Sequence, residues 1–474
     1  MTQKTMKLFE PTFESLRSYQ CPQWFGDAKL GFWSHWGPQS VPMAGDWYAR
    51  NMYIEGTPQY LHHLRTYGHP SEFGYKDICK LWKAENFDPD YLMNLYSKAG
   101  ARFFAAQVAH HDNFFNFPSK YNNMNAAQVG PMKDICGLWK GASDKFNLPF
   151  GLAEHFGRSF AWWNVNKGSD AYGPFAGVPY DGNDVRYKTF YHENQEHTGA
   201  YMTVGASKPQ YTLNAKYHKY WLNVMKELID MYSPELVYTD GGLPFGELFT
   251  DSDTNPAYDA GLEMVAYLYN SSIKKHGENR CVYTQKDDRK EIYSIGTYDI
   301  ESSKLPGINP LPWQTEICIG PWYYDTRKAY EKPSEVIDFF IDVVSKNGTM
   351  LLNIPQLPDG SLDGESLYFL EEFTKWIAIS GTAIFGTKPW KLHSEGSYRF
   401  TSKGDTIYVF MPEVSQDNVA VIRSFNEGER VLSVSLLGDG RLDFAQEFGV
   451  LTVRLPSMLP TKYVNCVEIK LNNR

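Results

Sequence analysis

The sequence predicts an α/β fold: a (β/α)8-like TIM barrel over residues 1–390, followed by an antiparallel β-sandwich over residues 391–474. Three observations predict it. Before Trp390, apolar runs of strand length alternate with amphipathic segments of helix length, giving eight strand candidates. Several of those runs break off at a titratable residue, as strands do at the catalytic mouth of a barrel. After Trp390 the pattern becomes short alternating runs separated by Gly, Asn, Asp and Pro, which marks an antiparallel sandwich.

Residues 1–28 read as an entry segment. Lys29–Trp33 is the first strand and runs into Ser34-His35-Trp36-Gly37; the loop after it carries Asp46-Trp47. Asp88 caps a helix that Pro89 opens and Gly100 stops. Arg102–Ala109 is the second strand, delivering His110-His111-Asp112. A helix around 132–146 precedes Leu148–Ala153, the third strand, which ends in Glu154-His155. Residues 157–209 are rich in Gly, Asn, Tyr and Trp without periodicity. A connection of that length is usually functional, and it is expected to overhang the site. Trp162-Trp163 suit either its substrate side or the packing beneath it.

An amphipathic helix over about 212–232 leads into Leu236-Val-Tyr238, which breaks at Thr239-Asp240-Gly241-Gly242. A carboxylate at a strand's end, followed by glycines that permit a sharp turn, stands where barrel enzymes keep their chemistry. The plainer reading is an Asp capping the next helix. A helix near 257–275 follows, then strand runs at Cys281–Thr284, Tyr298–Ile300 and Trp313–Ile319. A helix from Pro333 to Val344, the strand Thr349–Asn353 and a helix from Asp363 to about Ile379 complete the barrel. The sandwich runs are Thr406–Met411, Val419–Arg423, Val431–Leu437, Val450–Leu455 and Val467–Leu471.

The formal charge of −9 and pI near 5.8 argue against nucleic acid or an anionic membrane as partner. No run approaches the ~20 apolar residues of a membrane span. Aromatic residues make up 16% of the chain, which suits sugar rings and large cores alike. The six cysteines are scattered without a CxxC pair, so free thiols are expected rather than disulfides or zinc knuckles. The first residues lack the apolar core of a secretion signal, which leaves periplasmic, secreted and cytoplasmic placement open. Oligomeric state is not legible.

With its motifs in order, the chain resembles glycoside hydrolase family 29, the α-L-fucosidases. The matching segments are Pro11-Thr-Phe-Glu-Ser-Leu, Ala28-Lys-Leu-Gly with His35-Trp-Gly, Trp47-Tyr with Arg50-Asn-Met-Tyr, and His110-His-Asp with Phe117-Pro-Ser-Lys-Tyr121. Leu236–Gly241, Leu351-Leu-Asn-Ile, Asp359-Gly and Ile384-Phe-Gly-Thr-Lys-Pro-Trp390 follow. The resemblance implies retaining hydrolysis of terminal α-L-fucosides on a fucosylated oligosaccharide or glycoconjugate, without cofactor or metal. One carboxylate attacks the anomeric carbon and a second, ~5–5.5 Å away, serves as acid and then base.

It implies Asp240 as nucleophile, with Tyr238 where relatives carry Trp. Glu301 is preferred as acid/base over Glu316, whose segment reads Trp313-Gln314 where relatives often have Trp-Glu. His35, Asp46, Trp47, His110, His111, His155, Tyr238, Arg289 and Trp313 are the implied substrate ligands. Asp46 replaces the family's usual Glu, and His155 stands where relatives often show Tyr or Ser. Those departures keep an α-L-galactosidase as the alternative specificity. Two other classes remain: a metal hydrolase using His35, His110, His111, Asp112 and Asp240, and a carbohydrate-binding protein without catalysis.

Overall fold

The computed structural model describes residues 7–193, 211–212, 214–245 and 259–472. Eight parallel strands close into a barrel in sequence order, β1 pairing with both β2 and β8. They are β1 (Leu30–Ser34), β2 (Phe103–Ala109), β3 (Phe150–Glu154), β4 (Leu236–Thr239), β5 (Val282–Gln285), β6 (Thr297–Glu301), β7 (Trp313–Cys318) and β8 (Gly348–Asn353). All eight expected strands form. Strands covered on both faces read as continuous apolar runs, and β1 to β5 and β8 are buried along their whole length.

The barrel interior is a core of its own, built from Phe25, Trp33, Phe103, Leu236, Tyr238 and Leu351 among others. A larger core lies between the strands and the outer helices. Gly31 shows how tightly the interior is filled. A Cβ there would lie 2.3 Å from the Phe103 ring on the neighbouring strand.

Helix starts follow the sequence signals. Asp88, Asp134, Asn214 and Asp363 each accept a first-turn amide of the helices Pro89–Lys98, Ile135–Lys145, Ala215–Tyr232 and Gly364–Ser380. No described helix is long and apolar enough to cross a membrane. The long connection after β3 is partly described, up to residue 193, as short helical turns. The rest of that expected overhang, from 194 to 209, lies outside the described residues. Trp162 and Trp163 are fully buried, so they fill beneath the connection.

The remaining strands are β9 (Lys388–Glu395), β10 (Tyr398–Lys403), β11 (Thr406–Met411), β12 (Val419–Ile422), β13 (Val431–Leu436), β14 (Gly440–Arg441), β15 (Phe444–Glu447), β16 (Val450–Arg454) and β17 (Asn465–Leu471). They form a six-stranded sheet, β14-β13-β17-β11-β10-β9, and a three-stranded sheet, β12-β16-β15. Phe400, Val409 and Ile469 of one sheet share a core with Ala420, Leu451 and Val453 of the other. Trp390, where the sequence pattern changes, lies within β9. The sandwich is tied to the barrel helices: the Arg399 guanidinium donates to Asp342 at 2.7 Å, and the Trp376 indole donates to the Val464 carbonyl at 2.9 Å. All six cysteines are free thiols.

Candidate active site

At the C-terminal mouth of the barrel, strand after strand delivers a polar residue to one cavity of about 190 Å³. His35 follows β1, His110 and His111 follow β2, His155 follows β3, Asp240 follows β4 and Lys286 follows β5. Glu301 ends β6, and Glu316 lies within β7. Asp46 and Trp47 reach in from the loop after β1. Trp33, Tyr238 and Trp322 form an aromatic floor, with Trp33 edge-on to Trp322 at 5.4 Å between ring centroids.

The half built from β4 to β7 carries the charge. Gly241, at φ +126°, turns the chain immediately after Asp240, and only glycine adopts that backbone readily. The Lys286 ammonium stands 2.7 Å from Asp240 Oδ1, 2.5 Å from Glu301 Oε2 and 2.8 Å from Glu316 Oε1. On the other side of Asp240, His111 Nε2 lies at 3.3 Å and the Arg158 guanidinium at 3.7 Å. Burial alone would push the Asp240 carboxyl up, but Lys286, His111 and Arg158 outweigh it and hold it well below the usual carboxylate range.

One cation bridging these carboxylates bounds their separations. The two bonds from Lys286 laid end to end cap the separation of an Asp240 oxygen from an oxygen of either glutamate at no more than the ~5–5.5 Å of a retaining pair, short of the inverting range. The two glutamates differ in access. Glu301 is 48% exposed at the rim, whereas Glu316 is 1% exposed beneath it and 3.3 Å from the Tyr238 hydroxyl. Behind Glu316 lies Asp299; burial and the adjacent Glu316 push its carboxyl well above its ordinary value.

The half built from β1 to β3 carries imidazoles. The rings of His35, His110 and His155 form a nearly equilateral triangle, with centroids 5.1–5.2 Å apart. Burial lowers His35 to about 3, and pushes His110 and His155 well below their ordinary value, so all three are neutral. A neutral imidazole donates at one nitrogen and accepts at the other. Asp46, 3.7 Å from His110 Nε2, is pushed by burial up to about 7. Trp47 follows it in the left-handed region, at φ +59°, and its amide donates to Asp46 Oδ1 at 2.8 Å.

His35, His110 and His155 are also the one group of described residues whose ligand atoms lie close enough to suggest a metal, within 4.8 Å of one another. The donor chemistry does not fit. Gln39 Oε1 accepts the Ala49 amide at 3.1 Å, so its Nε2 must donate to His110 Nδ1, 2.8 Å away. That leaves the His110 proton on Nε2, on the side of Asp46. A metal ion needs a lone pair there; a sugar hydroxyl needs a donor.

The structure therefore gathers Asp240, Glu301, Glu316, His35, Asp46, Trp47, His110, His111, His155 and Tyr238 around one cavity. Arg289 and Trp313 stand elsewhere. The Arg289 guanidinium folds back onto Asp287, its Nε donating at 2.9 Å. Trp313 is buried at the start of β7, at the opposite end of the barrel, donating to the Lys346 carbonyl at 2.9 Å. Lys286, Arg158, Trp33 and Trp322 line the cavity and were not anticipated. Lys286 had a signal: like Asp240, it is the first residue after a strand.

The chain matches known proteins over nearly its whole length. The family described as Alpha-L-fucosidase matches residues 1–382. Tissue alpha-L-fucosidase of Macaca fascicularis is 27% identical over 469 residues, covering 96% of this chain and 89% of the relative. Tissue alpha-L-fucosidase of Homo sapiens is 27% identical over 466 residues, with 96% and 89% covered. Among solved structures, the Thermotoga maritima alpha-fucosidase in complex with a mechanism-based inhibitor superposes with a TM-score of 0.76. It is 24% identical, with 98% of this chain and 100% of that chain covered. A trapped covalent intermediate of a GH29 alpha-L-fucosidase from Bacteroides thetaiotaomicron gives a TM-score of 0.68 at 16% identity, covering 95% of this chain and 96% of that one.

Proposed function

The chain belongs to the alpha-L-fucosidase family, and from that premise we propose that it hydrolyses terminal α-L-fucosides with retention of anomeric configuration. The observation that carries the retaining reading is the pair Asp240 and Glu301, joined through one ammonium at 2.7 and 2.5 Å across a small cavity. Inverting enzymes keep their carboxyls ~6.5–9.5 Å apart to admit a water between them.

Asp240 is the nucleophile: its environment keeps it ionised. Glu301 is the acid/base, because the leaving oxygen of an exo-acting enzyme departs toward solvent and Glu301 stands at that rim. Glu316 lies almost wholly buried at the base of the cavity and pairs with Lys286. His35, His110 and His155 bind ring hydroxyls as neutral imidazoles, His110 as a donor only. The aromatic floor suits a sugar whose C6 is a methyl group.

The test combines product stereochemistry with trapping. Hydrolysis of an aryl α-L-fucoside followed by NMR should release α-L-fucose first. A 2-fluoro fucosyl fluoride should label the peptide containing Asp240 in a mass spectrum. Asp240→Ala should lower turnover by a factor on the order of 10⁴ or more while circular dichroism is unchanged. Initial release of β-L-fucose would overturn the retaining assignment, and a label on another carboxylate would overturn the nucleophile.

A further inference from the structure

Lys286 touches three carboxylates delivered by three different strands, and those partners are not equivalent. Its root is fixed as well as its head: the Lys286 amide donates to the Gly241 carbonyl at 2.6 Å, next to Asp240. The ammonium lies 5.8 Å from the centroid of the Tyr238 ring, which walls it from the barrel interior. Glu316 is buried, 1% exposed at the base of the cavity. Asp240 and Glu301 face the cavity, 16% and 48% exposed, and on the retaining reading they exchange charge with each other.

We propose that Lys286 is a positioning residue that touches both reacting carboxylates and stays beside the negative charge as it crosses from Asp240 in the resting enzyme to Glu301 in the fucosyl-enzyme, with Glu316 as its fixed anchor. This deepens the retaining reading and rests on it. In the first half-reaction an Asp240 oxygen bonds to C1 while the bond from C1 to the aglycone oxygen breaks. The bonding pair leaves with that oxygen, which takes the Glu301 proton. Asp240 is then an uncharged ester and Glu301 a carboxylate. In the second half-reaction the oxygen of water bonds to C1, its proton returns to Glu301, and Asp240 departs as a carboxylate. Lys286 gains and loses no proton. The negative charge crosses from Asp240 to Glu301 and back, and one ammonium within hydrogen-bond reach of both accompanies it without moving far.

The contact with Glu301 also explains how an acid becomes a base at one position. While Asp240 is ionised the ammonium is shared between it and the two glutamates. Once Asp240 is esterified, the ammonium is left to Glu301 and Glu316. Other titratable or charged groups face this cluster: Arg158 and His111 beyond Asp240, and Asp299 behind Glu316. Arg158 and His111 remain when Lys286 is removed, so the loss is bounded.

The experiment uses the full chain with an activated aryl α-L-fucoside, comparing Lys286→Met and Lys286→Arg with the wild type. In Lys286→Met, kcat/KM should fall about 10²-fold. The acidic limb of its pH profile should rise by ~1–3 pH units. Breakdown of the pre-formed 2-fluoro fucosyl-enzyme should slow too, and Lys286→Arg should restore most of each. Lys286→Gln serves the same comparison should the Met variant not fold. A uniform drop in rate with both pH limbs unmoved would sink the role given to Lys286 and leave the retaining reading standing. Release of β-L-fucose by the folded wild type would overturn both.

Discussion

The two halves of the barrel mouth solve opposite problems. From β4 to β7 the strands deliver Asp240, Lys286, Glu301 and Glu316, a knot of formal charge held at 2.5–2.8 Å. From β1 to β3 they deliver His35, His110 and His155, which burial keeps uncharged. The difference teaches how one small cavity can both grip a neutral ring and break the bond that joins it to its aglycone. Grip needs donors and acceptors that shed little water when the sugar enters, and neutral imidazoles provide them. Bond breaking needs charge placed in advance where charge will develop, and the carboxylate knot provides that.

Substitutions on the charged side should produce the largest effects and separate its two glutamates. Glu301→Gln should slow hydrolysis of an unactivated fucoside by roughly 10²–10⁴-fold. Azide should rescue Glu301→Ala on an activated substrate, giving a fucosyl azide, and leave Glu316→Ala unaffected. Rescue of the Glu316 variant alone would reverse the assignment. On the neutral side His35→Ala should act chiefly on binding, lowering kcat/KM about 10–100-fold through a raised KM. A loss confined to kcat would erase the division between the halves.

The smallest effect concerns Asp46, an acid embedded in the neutral half. Its carboxyl is held up to about 7, above the ~3.9 of an unfolded chain. Between those values the folded protein keeps a proton that the unfolded chain releases, so Asp46 lowers stability as pH rises through that window. Asp46→Asn should therefore gain in Tm over the wild type as pH rises toward 7, and the gain should level off above. A difference that ignores pH would show Asp46 to be ordinarily ionised.

The barrel was legible because parallel strands buried on both faces leave unbroken apolar runs, and the residue ending each run is automatically at the mouth. Asp240, His110, His111 and His155 follow from that rule. Lys286 obeys the same rule but was missed, since a lysine after a short run reads as ordinary surface. Arg289 does not line the cavity, for a local reason: its guanidinium turns onto Asp287, two residues before it. Trp313 does not line the cavity because it opens its strand, and the start of a barrel strand faces the far end. Choosing between Glu301 and Glu316 required knowing which was buried, and β7 gives no sign of that in sequence. β9, β10, β14 and β15 escaped notice because they are short or carry charged and half-exposed residues that blur the alternation.

The link from Ala49 through Gln39 to His110 has a consequence for selectivity. It fixes the direction of a proton, so His110 extends into the cavity only as a giver. Neither nitrogen of His35 meets a partner among the described residues, and that ring accepts whichever role is left over. An alcohol seated between them is received on one side and welcomed on the other. A fluorine or an ether oxygen in its place could satisfy His110 but would have nothing to hand on, so the cavity discriminates by the heading of an O–H bond as well as by the location of an oxygen.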